Sequence, residues 1–197
     1  PTNRIVIYAK PPVNETALRF TDDPDAMVVT HELTHIFQLD RTRGIWTLAQ
    51  HVFGRAPYLF PEEYIPAWLR EGLAVYYESK LTGAGRVLGS DHPMIARAFA
   101  SEHRFPSIDR ISLGDVRFPY GNTPYVFGSL FMDYLARTRG DHIRTFVESE
   151  ADQLVPLWID RPAKQAFGIS FSHAWRQWSD SMTAAAPDMS IFISCMP

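Results

Sequence analysis

The sequence of 197 residues contains one cysteine, no long apolar run and no excess of basic residues. A lone Cys195 excludes a disulfide within the chain. No window approaches the about 18 consecutive apolar residues of a transmembrane helix, so we predict no membrane span. The net charge of −3 gives no basic footprint for nucleic acid or an anionic membrane, so we expect neither as a partner. Repeats and low-complexity tracts are also missing, so no internal linker is predicted.

The residues that are present suit one globular domain, because 46% of them are hydrophobic and the length allows a sizeable core. We predict a single domain over residues 1–183 and a tail, or the start of a further segment, over 184–197. The chain begins at Pro1 rather than at a methionine, so we expect a processed protein or an excised fragment. In the second case the domain itself is truncated at its N-terminus.

An HExxH motif, His31-Glu32-Leu33-Thr34-His35, lies in a segment that we predict to be helical over about 24–40. Asp23 and Pro24 supply an N-cap and a first-turn proline for this helix. Residues i and i+4 share one helix face, so both imidazoles can reach one cation while Glu32 flanks them. The motif therefore predicts a zinc site in which His31 and His35 are ligands and Glu32 is the base that activates water.

A catalytic zinc site needs a third protein ligand, and the best candidate is Glu71. It lies in a second predicted helix, 66–78, among apolar residues, where an acid is costly to bury unless it is paired. Gly72 in the same helix suggests a close approach to the HExxH helix. Glu78, seven residues further on, is the rival ligand, and Glu62 and Glu63 are weaker alternatives because they precede the helix.

The motif residues resemble those of the gluzincin metallopeptidases, in which two HExxH histidines and a downstream glutamate bind zinc. Among gluzincins the chain is most similar to the peptidase-MA-type domains of exported bacterial proteins. The similarity covers roughly residues 26–180, and only the zinc motif is highly specific. The sequence departs from thermolysin-like members at Val75, where they carry an acid that orients a histidine ligand. The segments that carry the likeness are HELTH, WLREGLAVY, 120–131, 134–135 with Gly140, and 167–171 with Trp175.

The resemblance implies a zincin-like α+β fold with a small N-terminal sheet beside the HExxH helix and a larger helical C-terminal lobe. Residues 4–9, rich in β-branched side chains, form the clearest predicted strand. In gluzincins an edge strand near the zinc helix binds the substrate backbone, but here we favour a purely structural strand, because strand patterns seldom mark function. The resemblance also implies a periplasmic or extracellular location.

The function expected from these residues is hydrolysis of peptide bonds in a peptide or protein substrate, by a zinc-bound water that Glu32 activates. The chain lacks a GxMEN-like segment of the kind that anchors a free amino terminus in gluzincin aminopeptidases, which favours an endopeptidase. The alternative is a catalytically inactive zincin-like module that binds or supports another molecule. A third hypothesis is a metal-dependent hydrolase that acts on a bond other than a peptide bond.

The catalytic tyrosine is predicted from position and resemblance together. No third histidine stands at a suitable spacing, and gluzincins often use a tyrosine downstream of the glutamate ligand to stabilise the oxyanion. Tyr125, at the start of a predicted helix over 124–139, is our candidate and Tyr120 the second choice. The open alternative is that Tyr125 only packs its ring.

Two further expectations concern the rest of the chain. The helically spaced apolar residues of 45–53 are expected to pack in the core, with a substrate-side wall or lid as the alternative. His51 is expected to be a packed residue rather than a ligand, and His92 and His103 to lie on the surface. Further helices are predicted at about 93–100, 141–150, 151–167 in broken form and 170–183.

Overall fold

The computed structural model describes residues 18–112 and 118–186, together with Ile5. In these residues the chain forms eight α-helices joined by short loops and single 3₁₀ turns. The helices are α1 (Pro24–Leu39), α2 (Gly44–Phe53), α3 (Ala67–Thr82), α4 (Asp91–Ser101), α5 (Thr123–Arg139), α6 (Ile143–Glu150), α7 (Asp160–Phe167) and α8 (Phe171–Ala185). The 3₁₀ turns are Pro57–Leu59, Pro61–Tyr64 and Tyr120–Asn122.

The predicted α+β class is wrong, because the described part of the chain is all helical and contains no sheet. The strand predicted over 4–9 lies, apart from Ile5, outside the described residues. A run of β-branched residues is a weak indicator of a sheet, since strand preference depends on the neighbouring strands and on burial. The predicted sheet also rested on the family resemblance rather than on a repeated strand pattern. Of the helices described, none is long and apolar enough to cross a membrane.

Local sequence signals account for the helix ends. The Asp23 carboxylate accepts a hydrogen bond of 2.9 Å from the backbone N–H of Ala26, and Pro24 occupies the first turn, as predicted for α1. Helix α3 ends at Gly83, whose left-handed φ of 71° favours glycine. Ser170 caps α8 by accepting a hydrogen bond from the N–H of His173. The caps at Asp23 and Gly83 thus fix the start of α1 and the end of α3, the two helices that carry the predicted metal ligands.

The core is built around the crossing of α3 with α5. Their backbones meet at Gly72 and Gly128, where a Cβ on Gly128 would lie 2.1 Å from the carbonyl oxygen of Trp68. Gly72 therefore permits contact with α5, and the prediction that it permits close approach to α1 is wrong. Trp175 and Trp178 of α8 also belong to the core, with exposures of 3% and 4%.

Helix α2 departs from its prediction. It forms at the predicted place, but it has no buried residue, so its apolar stripe does not pack in the core. His51 is also exposed rather than packed. His92 shows the opposite departure: it is buried, Nδ1 lies 3.2 Å from Oγ of Ser129, and burial lowers its pKa to about 3. Apolar spacing identifies a distinct helix face, and tertiary structure decides whether anything covers it.

Candidate metal centre

Three predicted ligand residues come together between α1 and α3. The Nε2 atoms of His31 and His35 are 3.2 Å apart, and Oε2 of Glu71 lies 3.6 Å from the first and 3.3 Å from the second. Ligand atoms around a tetrahedral zinc ion with bonds of about 2.0–2.1 Å are separated by roughly 3.3–3.4 Å. The triangle therefore has the size that one such ion requires, and it leaves a fourth position for water or substrate.

Helix geometry explains this convergence. His31 and His35 are one turn apart on α1, and their rings meet edge to face with centroids 4.8 Å apart. Helix α3 packs along α1 and presents Glu71 from its second turn. All three side chains are at most 16% exposed, so the site is largely shielded from solvent.

Electrostatics keep Glu71 in the form that binds metal. Burial on its own would raise the pKa of Glu71, but hydrogen bonds and charge from His31 and His35 outweigh burial and lower it well below the ordinary value. Burial would likewise lower the pKa of His31, yet hydrogen bonds to Glu71 and Glu78 raise it. Glu71 is thus a carboxylate at neutral pH.

Glu78 contacts the outer nitrogen of a predicted ligand. Its Oε2 lies 3.2 Å from Nδ1 of His31, while Nε2 of that ring faces Glu71. A proton on Nδ1 then donates to Glu78 and leaves the Nε2 lone pair free for a metal. Glu78, fully buried, therefore has the position of an orienting carboxylate rather than of a third ligand.

Arg86 completes this outer layer and was missed by the sequence reasoning. Its Nη2 donates to Oε2 of Glu78 at 2.6 Å and its Nε donates to Oε1 at 2.9 Å. The turn after α3 brings Arg86 back to Glu78. Gly85 in this turn has a left-handed φ of 101°, and a Cβ there would lie 3.2 Å from Oε1 of Glu78, so both its conformation and its surroundings favour glycine. No spacing rule links Arg86 to the motif, so only the folded turn reveals it.

The environment of His35 differs from that of His31. Its Nδ1 is buried and has no hydrogen-bond partner among residues 18–112 and 118–186. Within the described part of the chain, Nδ1 of His31 thus has a carboxylate partner and Nδ1 of His35 has none.

Glu32 and Tyr125 are the two predicted catalytic residues. Glu32 is half-buried, next to His31 on α1, and makes no hydrogen bond or ion pair within the described ranges. The Tyr125 ring lies over His31 with centroids 6.4 Å apart and planes 20° apart, and Arg86 stacks on the same tyrosine at 5.5 Å. Burial and the charge of Glu71 raise the pKa of Tyr125, so its hydroxyl remains a donor at neutral pH.

Tyr120, the second choice for this role, lies elsewhere. It is 61% exposed, and its ring meets Phe118 edge-on with centroids 6.2 Å apart. Glu62, the weaker ligand candidate, is buried against α1 but contacts Gln38 rather than the two histidines.

Glu62 belongs to a buried carboxyl pair with Glu150 at the end of α6. Both residues are 0% exposed, and Gln38 donates to Glu62 at 3.4 Å. Burial and the neighbouring carboxyl raise the pKa of Glu62 well above its usual value, and burial raises that of Glu150. Folding therefore favours the protonated carboxyl of Glu62. The free energy of unfolding must fall as the pH rises from about 4.5, the pKa of this group in the unfolded chain, through its raised pKa in the folded chain.

We expect Glu150→Gln to raise the melting temperature at pH 8 and to have a smaller effect at pH 5. The neutral amide removes one of two like charges, a gain of about 1 kcal/mol or more, or roughly 2–4 °C in a domain of this size. Glu148→Gln on the same helix is the control, since Glu148 is partly exposed and pairs with Arg144. A melting temperature that falls equally at both pH values would contradict the like-charge account.

Comparisons with known proteins add no family assignment. No family model matches the chain, and neither the curated proteins nor the solved structures give a match. The gluzincin resemblance therefore stays a prediction that rests on the motif residues.

Proposed function

We propose that this chain is a zinc-dependent peptidase, with His31, His35 and Glu71 as the metal ligands. The observation that carries the proposal is the triangle of two Nε2 atoms and one Oε2 atom with sides of 3.2, 3.3 and 3.6 Å. This triangle matches the ligand spacing of a tetrahedral ion. Two neutral imidazoles with one carboxylate are also a donor set that suits catalytic zinc.

The roles of the surrounding residues follow from their chemistry. A zinc ion, when bound, supplies a Lewis acid and lowers the pKa of a water molecule in its open position. Glu32 would act as the general base, taking a proton from the water molecule whose oxygen attacks the peptide carbonyl carbon. Glu32 then delivers the proton to the amine nitrogen as the C–N bond breaks. Glu78 accepts from Nδ1 of His31 and so favours the tautomer that a metal ligand needs, and Arg86 fixes the Glu78 carboxylate by two hydrogen bonds.

Tyr125 is the proposed donor to the carbonyl oxygen, which becomes negatively charged during the attack. We expect Tyr125→Phe to lower turnover by about 10² to 10³-fold with zinc content unchanged, because the ring remains and one hydrogen bond is lost. Tyr120→Phe is the matched control, since Tyr120 is exposed and packs on Phe118. Equal turnover of Tyr125→Phe and the parent would remove Tyr125 from the mechanism, and a loss in Tyr120→Phe would transfer the role there.

The proposal is tested by metal analysis and peptide digestion of the same preparation. We expect one zinc per chain, cleavage of an internally quenched peptide library, loss of cleavage on chelation and recovery on adding zinc. Peptides blocked at both ends should be cleaved as well as free ones, because we propose an endopeptidase.

Two other outcomes would each overturn part of the proposal. Stoichiometric zinc without cleavage of any library member would favour the non-catalytic module over the peptidase. Cleavage that requires a free terminus would retain the peptidase and reject endopeptidase action.

A further inference from the structure

Arg70 lies at the edge of the metal centre, one residue before the proposed ligand Glu71 on α3. Its Nε is 3.5 Å from Oε1 of Glu71, whereas the other oxygen of this carboxylate, Oε2, faces His31 and His35. The guanidinium therefore lies beside the metal position rather than in it. The Arg70 side chain is 31% exposed, so a substrate in the cleft can reach it.

Most of the hydrogen-bonding capacity of Arg70 is unused. Within residues 18–112 and 118–186, Nη1 and Nη2 make no hydrogen bond or ion pair, and Nε makes only the long contact with Glu71. Arg86, which also contacts the centre, is instead bound to Glu78 by two hydrogen bonds. A half-buried guanidinium with two adjacent unpaired nitrogens suits a carboxylate, because the two groups can form parallel hydrogen bonds.

Arg70 also acts on the proposed oxyanion donor. Burial and the charge of Glu71 raise the pKa of Tyr125, and the charges of Arg86 and Arg70 oppose this rise. Charges that shift a pKa in this way lie within several ångströms of the group. Arg70 is therefore close to the place where the scissile carbonyl would meet Tyr125, and a carboxylate next to that carbonyl would meet the guanidinium.

The charges around the centre leave Arg70 unbalanced once a divalent ion is bound. The ion would balance the carboxylates of Glu71 and Glu32. The buried Glu78 carboxylate is already balanced by Arg86. Arg70 then contributes one net positive charge beside the scissile bond, and a cleft with charge of one sign attracts ligands of the opposite sign.

We propose that Arg70 binds a carboxylate of the substrate next to the scissile bond, so that the chain prefers acidic substrates. This inference rests on the proposed peptidase function and names its substrate class. The carboxylate belongs either to an acidic side chain that flanks the bond or to a free C-terminus one residue beyond it. Arg70 determines specificity in this account and takes no part in the proton transfers.

The first test compares end-blocked peptides, built on a cleaved library sequence, that differ only in Glu or Gln at one position flanking the scissile bond. We expect kcat/KM to be at least about ten-fold higher for the Glu peptide at one of the two positions. Arg70→Gln should abolish this ratio, and Arg70→Glu should make a Lys peptide the better substrate. A further pair, with a free or an amidated C-terminus one residue beyond the bond, distinguishes a terminal carboxylate from an acidic side chain.

Binding measured without cleavage separates this inference from the peptidase proposal. The probe is a fluorescent, end-blocked, alanine-rich peptide with one central Glu, or with Gln in its place, and the readout is anisotropy. Zinc-loaded Glu32→Gln should bind the Glu probe about ten-fold more tightly than the Gln probe, and adding Arg70→Gln should remove the difference. Arg137→Gln is the control, because Arg137 is in the last turn of α5 and Tyr125 is in the first.

The outcomes distinguish the two proposals. Equal cleavage and equal binding of the Glu and Gln peptides by the parent would overturn the inference and leave the peptidase intact. Weaker zinc binding in Arg70→Gln, with both peptides affected alike, would show that Arg70 only positions Glu71. A complete absence of cleavage would reject the peptidase, and the anisotropy comparison would still decide whether Arg70 binds a carboxylate.

Discussion

Glu32→Gln should retain zinc and the fold but lose hydrolysis by about 10² to 10⁴-fold or more. Glutamine keeps the shape and hydrogen-bonding reach of the side chain and cannot accept a proton at neutral pH. Glu32 is half-buried on α1 and makes no hydrogen bond or ion pair in the part of the chain that the structure describes. Its replacement should therefore leave the helix and the three ligands undisturbed.

The measurement is turnover of a cleaved library peptide by parent and variant with zinc content matched. Glu63→Gln is the control, because Glu63 is an exposed acid in the turn before α3 and should leave turnover unchanged. The comparison also excludes a co-purifying peptidase, which would survive the substitution in this chain. If Glu32→Gln cleaves as fast as the parent, Glu32 is not the base.

His31→Ala, His35→Ala and Glu71→Ala should each remove zinc binding almost completely. Each substitution takes away one of three atoms that lie 3.2–3.6 Å apart. Two remaining ligands cannot hold the ion in the open tetrahedral geometry of a catalytic site. The zinc affinity should fall by more than the about 10–100-fold that follows removal of a residue hydrogen-bonded to a ligand.

Glu78→Gln distinguishes ligand from orienting residue. Glu78 contacts Nδ1 of His31 at 3.2 Å rather than the Nε2 side, so the variant should weaken zinc by about 10–100-fold and still bind it. Competition with a chromophoric chelator measures all four affinities, and His103→Ala is a surface control. Zinc-induced thermal stabilisation gives an independent readout, since it should reach about 2.7 kcal/mol at 100 times Kd in the parent. Full zinc occupancy in Glu71→Ala together with loss of all zinc from Glu78→Gln would reverse the two assignments.

Local sequence determined the parts of the site that depend on one helix. The spacing of His31 and His35 places both rings on one face of any α-helix, whatever surrounds it. Asp23 and Gly83 likewise mark helix ends through bonds within a few residues. Helix positions are predictable for this reason, because each signal acts over one or two turns.

Tertiary structure decided everything that depends on which surfaces meet. The periodicity of α2 showed an apolar face but not its partner, and that face is exposed. Gly72 signalled a close approach, yet the contact is with α5 rather than α1. Glu78 near the end of α3 and Arg86 in the following turn both contact His31 on α1. Arg86 and His31 are 55 residues apart in the sequence. Such contacts depend on how helices pack, since loop closure and burial rather than local preference select them.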